Sequence, residues 1–374
     1  MIERFYKLDK LIKPGKVLII YGPRQVGKTT LLENFLSKTK LKYRLESGEN
    51  FRIRQIISSQ DFDLLNEFAE GYELIAIDEA QSIPDVGLGL KILIDQNKKL
   101  SVVITGSSSF EISKKTGEPL TGRKRTIILF PIAHLELLNT RSPFDLKEKL
   151  EEFLLFGSYP EVLTAKSRKE KIEILQELVD SYLLKDILIF DKIKKSQKLF
   201  DMLQLLAFQI GKEVSLNELA SQIKVDVKTV DRYLDLLEKT FVIKKIGAFG
   251  RNLRKEVTTK SKYYFLDNGI RNAIISQFNK ISARNDVGEL FENFIIMERL
   301  KANHYKKRFT KTYFWRTYQN LEIDLIEERN GKLFAYEIKW SDKVKVKKPY
   351  EFLSSYENSV FKVINKSNYI NFIV

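Results

Sequence analysis

Val17-Leu18-Ile19-Ile20-Tyr21-Gly22-Pro23-Arg24-Gln25-Val26-Gly27-Lys28-Thr29-Thr30-Leu31-Leu32 is the stretch that decides the fold. Val17 to Tyr21 is a short apolar run rich in β-branched residues and reads as a buried strand. Gly22 to Thr29 fits G-x-x-x-x-G-K-[ST], and Leu31, Leu32 and Phe35 follow at helical spacing. Strand, glycine loop and helix in that order make a phosphate-binding loop. The glycines let the backbone turn tightly and aim N–H groups at phosphate, and the helix adds the positive end of its dipole. The residues expected around a nucleotide are Gly22, Pro23, Arg24, Gln25, Val26, Gly27, Lys28, Thr29 and Thr30. Lys28 is expected on the β- and γ-phosphates, where it also serves catalysis, and Thr29 on Mg²⁺. ATP and Mg²⁺ are the expected cofactors.

Downstream, Glu73-Leu74-Ile75-Ala76-Ile77-Asp78-Glu79-Ala80-Gln81 is an apolar strand ending in two acids, the Walker B pattern. Asp78 is expected to act on Mg²⁺, and Glu79 to orient and deprotonate the attacking water. Leu100 to Ile104 is a further buried strand that ends in Thr105-Gly106-Ser107-Ser108-Ser109. Parallel sheets bind ligands beyond the carboxyl ends of their strands, so a hydroxyl there can sense the γ-phosphate. Thr105 and Ser107 are both candidates, and the three serines also suit a helix N-cap. Leu120-Thr121-Gly122-Arg123 precedes a fifth apolar strand, Thr126 to Phe130. Arg123 is a candidate for stabilising γ-phosphate charge in its own subunit or a neighbour, against the plainer reading of a surface arginine.

The chain has 374 residues, long for one core. Its hydrophobic content, 43%, is ordinary for a globular protein. No apolar run approaches the ~20 residues of a membrane span, and the charged N-terminus does not read as a signal peptide, so a cytoplasmic protein without a membrane partner is expected. Cys is absent and only His134 and His304 exist, which excludes disulfides and Cys- or His-rich metal sites. Any metal must then be a hard cation on oxygen ligands. A net charge of +15 favours a polyanionic partner, nucleic acid or acidic lipid, although a lysine-rich ion-pair surface gives the same number.

GPRQVGKT, the strand ending in DEAQ, ITGSSS, and LTGR followed by a strand and FPIAHLEL resemble the AAA-type ATPases common in archaea and bacteria. In that family a P-loop ATPase domain precedes a C-terminal region of long-unassigned function. The resemblance implies ATP hydrolysis on a five-stranded parallel sheet flanked by helices. Two helical patterns follow, Phe144 to Phe156, broken by Gly157-Ser158-Tyr159-Pro160, and Lys169 to Phe190. They resemble the family's helical lid, including Tyr182 to Leu188, and lead to the basic run of Lys192, Lys194, Lys195 and Lys198. From Phe200 the pattern becomes helix–turn–helix. Met202 to Ile210 is one helix, Ser215 to Ile223 opens with a Ser-x-x-Glu capping box, and Val227 to Leu237 is the second helix of the pair. Two strands, Phe241 to Phe249 and Tyr263 to Phe265, complete a winged-helix pattern. Docked on DNA, Lys228, Thr229 and Arg232 face the major groove, and Arg251, Arg254 and Lys255 meet phosphate. Asp226, Asp231 and Asp235 on that helix oppose such docking.

The second informative stretch is Leu321 to Trp340. Asn330-Gly331 between two alternating runs signals a hairpin with a two-residue loop. Arg329 then faces Lys332, Ile323 faces Ile338 and Leu325 faces Tyr336 on an apolar side. Asp324 falls opposite Glu337, and Glu322 opposite Lys339, beside Ile326 and Ala335. Facing carboxylates repel, which a divalent cation turns into coordination, so Asp324 and Glu337 are candidate metal ligands and catalytic groups. Lys339, two residues from Glu337, is placed to stabilise developing charge. Asp…Glu-x-Lys on a hairpin resembles the PD-(D/E)xK nuclease core. That resemblance implies a further catalytic Glu on a preceding helix, carried here by Glu292 within Gly288 to Ile295; no Pro precedes Asp324 as the literal pattern has it. Lys301, Lys306, Lys307, Arg308 and Lys311, the aromatic run Tyr313-Phe314-Trp315, and Lys343, Lys345, Lys347 and Lys348 surround the hairpin as basic–aromatic clusters suited to a nucleic-acid backbone.

The expectation is an α/β chain: a P-loop sheet over 1–140, a helical lid over 141–195, a winged helix over 196–266 and a nuclease-like α/β domain over 267–374. The expected function is ATP hydrolysis coupled to nucleic-acid binding, DNA ahead of RNA, with metal-dependent cleavage. Further copies of the chain are expected as partners through the ATPase domain. The alternative is a non-cutting ATP-dependent switch, and a P-loop kinase is a remote third.

Overall fold

The computed structural model describes residues 2–107, 119–183, 196–250, 261–317 and 321–374. Ser108, Ser109, Leu184 to Leu188, Lys192, Lys194, Lys195, Arg251, Arg254 and Lys255 lie outside the described residues. Two compact units emerge, residues 4–131 with Lys239–Phe241, and the remainder of the chain.

In the first unit, β1 (Val17–Tyr21), β2 (Tyr43–Ser47), β3 (Leu74–Asp78), β4 (Ser101–Gly106) and β5 (Lys124–Ile128) form a wholly parallel sheet in the order β2-β3-β4-β1-β5. β1 and β4 lie inside the sheet and are buried along their whole length, which is why they read as unbroken apolar runs rather than alternating ones. Helices α1 (Lys28–Leu36), α2 (Phe51–Ser58), α3 (Phe62–Ala69) and α4 (Val86–Gln96) accompany the sheet. Asn50 caps α2 by accepting from Arg52 N, and Asp61 caps α3 by accepting from Leu64 N. Ile53, Ile57, Leu65 and Phe68 from α2 and α3 join Ile19, Ile77, Leu90 and Ile104 in one core. Each such side chain contributes about 1.5–3 kcal/mol on burial. A single helical turn, Leu8–Lys10, precedes β1.

The second unit begins with short helices α5 (His134–Leu137), α6 (Pro143–Glu148), α7 (Leu150–Phe156) and α8 (Pro160–Thr164), then α9 (Arg168–Glu177). α7 stops at Gly157, whose φ of 69° suits a residue without Cβ. Next come α10 (Ser196–Phe208), β6 (Glu213–Val214), α11 (Leu216–Ile223), α12 (Val227–Lys239), β7 (Ile243–Ala248) and β8 (Ser261–Phe265). After α13 (Asn268–Ile274) and the long α14 (Val287–Tyr305) follow β9 (Lys311–Arg316), β10 (Glu322–Arg329), β11 (Lys332–Ile338), α15 (Tyr350–Ser355), β12 (Ser359–Ile364) and α16 (Tyr369–Ile373).

All seven of these strands share one sheet, ordered β12-β11-β10-β9-β7-β8-β6. β7 pairs with β9 in parallel, Gly247 with Tyr313 and Ala248 with Phe314, so the expected boundaries at 195 and 266 fall inside a single compact unit. Asn330 and Gly331 take φ of 49° and 74°, the left-handed pair a two-residue hairpin loop needs, and Arg329 pairs with Lys332 and Leu325 with Tyr336.

One expectation about this hairpin is corrected. Ile323 pairs with Trp315 and Ile326 with Tyr313, so Asp324 and Leu325 together oppose the single Phe314. This bulge puts Ile323 and Ile326 in the same apolar cluster with Trp315, Ala335 and Phe352, instead of on opposite faces.

α14 is buried almost all round despite its polar residues. Asn293 exchanges hydrogen bonds with the main chain of Phe265, Lys301 pairs with Glu298 at 2.7 Å, and Arg299 grips Glu327 through Nε and Nη2 at 2.8 and 2.9 Å. Lys301 is thus a core cation and not a backbone-binding one; Phe314 and Trp315 are core residues too, not stacking platforms. Among the described residues no helix is long and apolar enough to cross a membrane.

Candidate functional site

At the carboxyl end of β1 the chain turns through Gly22, whose φ is 150°, and Gln25 and Gly27 adopt φ of 57° and 87° before α1 begins at Lys28. Among the described residues the N–H groups of Gln25, Val26 and Gly27 have no acceptor. Three main-chain donors left open beside a helix N-terminus are the donor set a polyphosphate requires. Lys28 is 5% exposed and its ammonium donates to Gly22 O at 3.0 Å and Pro23 O at 2.7 Å. It is folded back over the loop. Thr29 Oγ1 donates to Asp78 Oδ2 at 2.8 Å. The residues present fit Mg²⁺ and a nucleoside triphosphate: Thr29 and Asp78 carry the oxygens that would hold the ion, and Lys28 with the open N–H groups would meet the phosphates.

The acidic side of the site is tied to β4. Thr105 Oγ1 donates to Asp78 Oδ1 and accepts from Glu79 N at 3.2 Å. Glu79 stands at φ 50°, with its carboxylate accepting from Gln81 Nε2, while Gln81 Oε1 accepts from Ser107 N at 3.2 Å. Thr105 thus meets the Walker B acid directly through its hydroxyl, and Ser107 reaches Glu79 by way of Gln81. Two residues of this site were not singled out from sequence. Gln81 was visible in DEAQ but carried no assigned role. Arg4, which holds Val26 O at 2.5 Å and Phe130 O at 2.6 Å, gave no local signal at all.

Arg123 does not join this group. Its carbonyl accepts from Val17 N, so it lies level with the start of β1, while the phosphate loop lies beyond the end. Five strand residues span roughly 16 Å. Its guanidinium instead holds Asp95 Oδ1 at 2.7 Å, a hydrogen bond that keeps the Asp95 carboxyl below its ordinary value. In a parallel sheet the loop before a strand is at the wrong edge for the nucleotide of the same subunit.

In the second unit, Glu292 of α14, Glu322 and Asp324 of β10, Glu337 of β11 and Lys339 gather with Lys262 and Tyr264 of β8. Lys262 Nζ pairs with Glu322 Oε1 and lies 3.6 Å from Glu292 Oε1, which also accepts from Tyr264 OH at 2.7 Å. Lys339 Nζ lies 2.6 Å from Glu337 Oε1 and 3.7 Å from Asp324 Oδ2; Asp324 also accepts from Ile338 N at 2.7 Å. Burial and then the Asp324 charge push the Glu292 carboxyl up to about 8. Burial likewise raises Asp324 and Glu337. Burial works to lower Lys262, but Glu292 and Glu322 outweigh it and hold the ammonium above its ordinary value. The oxygen donors have the chemistry for a hard divalent cation. Their arrangement does not: among the described residues no three acidic or histidine side chains converge on one point, because each carboxylate is turned to an ammonium group.

On the second helix of the helix–turn–helix pair, Lys228 and Arg232 are exposed, whereas Thr229 is bound to Asp226 through both its hydroxyl and its N–H. The lysines at 343, 345, 347 and 348 are exposed.

Residues 14–138 match a family described as an AAA domain. Residues 147–281 and 287–370 match two families described as domains of unknown function, DUF8612 and DUF4143. An uncharacterized protein of Mycobacterium tuberculosis is 25% identical over 336 residues, 89% of this chain and 72% of its own. Another, from Methanocaldococcus jannaschii, is 26% identical over 368 residues, 91% of this chain and 79% of its own. Among solved structures, a signal transduction ATPase with numerous domains from Pyrococcus horikoshii aligns with 76% of this chain at 16% identity and a TM-score of 0.27, the alignment spanning 43% of that protein. The family match over 14–138 coincides with the parallel sheet and with the loop that closes on Thr29 and Asp78, and this part of the chain has a P-loop NTPase-type fold similar to that AAA family.

Proposed function

We propose that the chain hydrolyses ATP at the loop of Gly22 to Thr29 and couples the cycle to nucleic acid, DNA ahead of RNA, held by a winged helix over 196–266 and a nuclease-like region over 267–374. The observation that carries the ATPase reading is the continuous chain of contacts Thr29–Asp78–Thr105–Glu79–Gln81 at the carboxyl ends of β1, β3 and β4. Bound Mg²⁺ supplies charge stabilisation on the phosphates. Lys28 binds and neutralises them, the open N–H groups orient them, and Glu79 takes the proton of the attacking water. Gln81 holds the Glu79 carboxylate in place through the hydrogen bond from its Nε2.

The nucleic-acid reading rests on the net charge of +15, the exposed Lys228 and Arg232, and the exposed lysines after β11. The gathering of Glu292, Asp324, Glu337 and Lys339 supports a nuclease-like region. The engagement of every carboxylate by a lysine favours a second reading, in which this region binds its partner without cutting.

ATP turnover measured alone and with single-stranded DNA, duplex DNA and RNA, followed by a denaturing gel of the nucleic acid, tests the whole. Lys28→Ala is expected to abolish turnover, and Asp324→Ala to abolish nicking while turnover persists. Turnover that survives Lys28→Ala would remove the ATPase reading, and nicking that survives Asp324→Ala would remove the nuclease reading. No nicking by the wild type under any divalent cation selects the non-cutting switch.

A further inference from the structure

Lys262 is an unusual group to find beside a carboxylate cluster. Its side chain is 2% exposed. Its backbone is fixed on both sides, paired with Glu213 of β6 and with Ile246 of β7. Its ammonium is directed at Glu322 and Glu292 and lies 5.5 Å from the Phe314 ring centre. Two residues on, and so on the same face of β8, Tyr264 takes the same oxygen of Glu292. Strand β8 therefore draws Glu292 and Glu322 to itself, while Lys339 occupies Glu337 and Asp324.

Four carboxyl groups, Glu292, Glu322, Asp324 and Glu337, stand against two ammonium groups, Lys262 and Lys339. A cation bridging the Glu292 side and the Asp324 side must share the space with the Lys262 ammonium and repel it.

We propose that Lys262 is a built-in counter-cation that competes with a divalent metal for Glu292 and Glu322, so that the cluster takes up metal only as Lys262 is displaced from them. The proposal rests on the reading of this cluster as a cation site. Lys262 is in this account a positioning residue: it acts through the carboxylates it holds and touches no substrate.

Calorimetric titration of the full chain with Mn²⁺, without nucleotide, tests it, with thermal melts in the presence and absence of Mn²⁺. Wild type is expected to bind weakly. Lys262→Met, which keeps the length and loses the charge, is expected to bind at least tenfold tighter, and to melt lower than wild type without Mn²⁺ but recover with it. Lys262→Arg, which keeps the charge, is expected to stay near wild type, and Asp324→Asn in the Lys262→Met background is expected to erase the gain. If Lys262→Met does not fold without metal, Lys262→Gln takes its place. Equal or weaker binding by the folded uncharged variant overturns the proposal and leaves the cation site standing. Mn²⁺ uptake that is absent in every variant, or unchanged by Asp324→Asn, removes the cation site itself and the proposal with it.

Discussion

Gly22→Ala should disable the nucleotide loop by a route that can be worked from the coordinates. A Cβ at Gly22 would stand 2.1 Å from Leu129 O and 3.1 Å from Leu129 C, where ordinary contact begins near 3.4 Å. Both offending atoms are main chain, so no rotamer change relieves them, and Leu129 is itself held by its N–H bond to Tyr21 O at 2.7 Å. The two main chains must separate by more than an ångström at the root of the loop. Overpacking of this kind costs about 1–3 kcal/mol, and holding a side chain at φ 150° adds about 1–3 kcal/mol of strain. Gly122→Ala is the control, with φ 73° and nothing within 4 Å of the added carbon. It should cost only the left-handed strain, about 1–2 kcal/mol. Urea denaturation compares the two, and titration with a fluorescent ATP analogue reads the loop. Gly22→Ala is expected to lose clearly more stability than Gly122→Ala and at least tenfold in nucleotide affinity. If the two variants melt together and bind nucleotide alike, the close approach of Gly22 to Leu129 is not what the loop depends on.

Two further outcomes are expected. The raised Glu292 carboxyl means that the unfolded chain, ionising near 4.5, sheds this proton before the folded chain, ionising near 8. Stability should therefore fall as pH rises from about 4.5 to about 8 and level off above, by at most about 1.4 kcal/mol per pH step from this group. Urea midpoints of wild type and Glu292→Gln across that range should diverge in this sense, and a difference independent of pH would refute it. Arg299→Met takes the two-pronged partner from the fully buried Glu327, leaving it Asn303 at 2.6 Å and the Arg329 guanidinium at 3.4 Å, and should cost at most about 3–5 kcal/mol; adding Glu327→Leu should restore much of it, read as the urea midpoint of each variant.

What was legible in the sequence was local. The loop of Gly22 to Thr29, the acids ending β3 and the Asn330-Gly331 turn each declare themselves within a few residues. For Arg123 the motif gives the loop but not its edge: the direction of β5 relative to β1 puts it at the far edge of the sheet from the nucleotide loop of its own subunit. The bulge at Asp324 and Leu325 left one trace, the three-residue spacing of Ile323 and Ile326, which strict alternation could not explain. Lys262 left none, since nothing in Ser261 to Phe265 announces a partner 60 residues on at Glu322. Lys301 falls in a basic cluster in the sequence, while its mate Glu298 sits three residues back on the same helix, inside the core.

The pairing of β7 with β9 has a mechanical meaning. The hairpin that follows α12 and the hairpin that bears Asp324 and Glu337 are one hydrogen-bonded ribbon, further tied by Phe249 N to Phe314 O at 2.7 Å. On the proposed nucleic-acid reading, a strand of polymer held by one would be presented to the other at a set offset, as on a ruler. Its footprint should keep one length whatever its sequence, and lengthening or shortening the substrate by a few units should matter more than changing its letters.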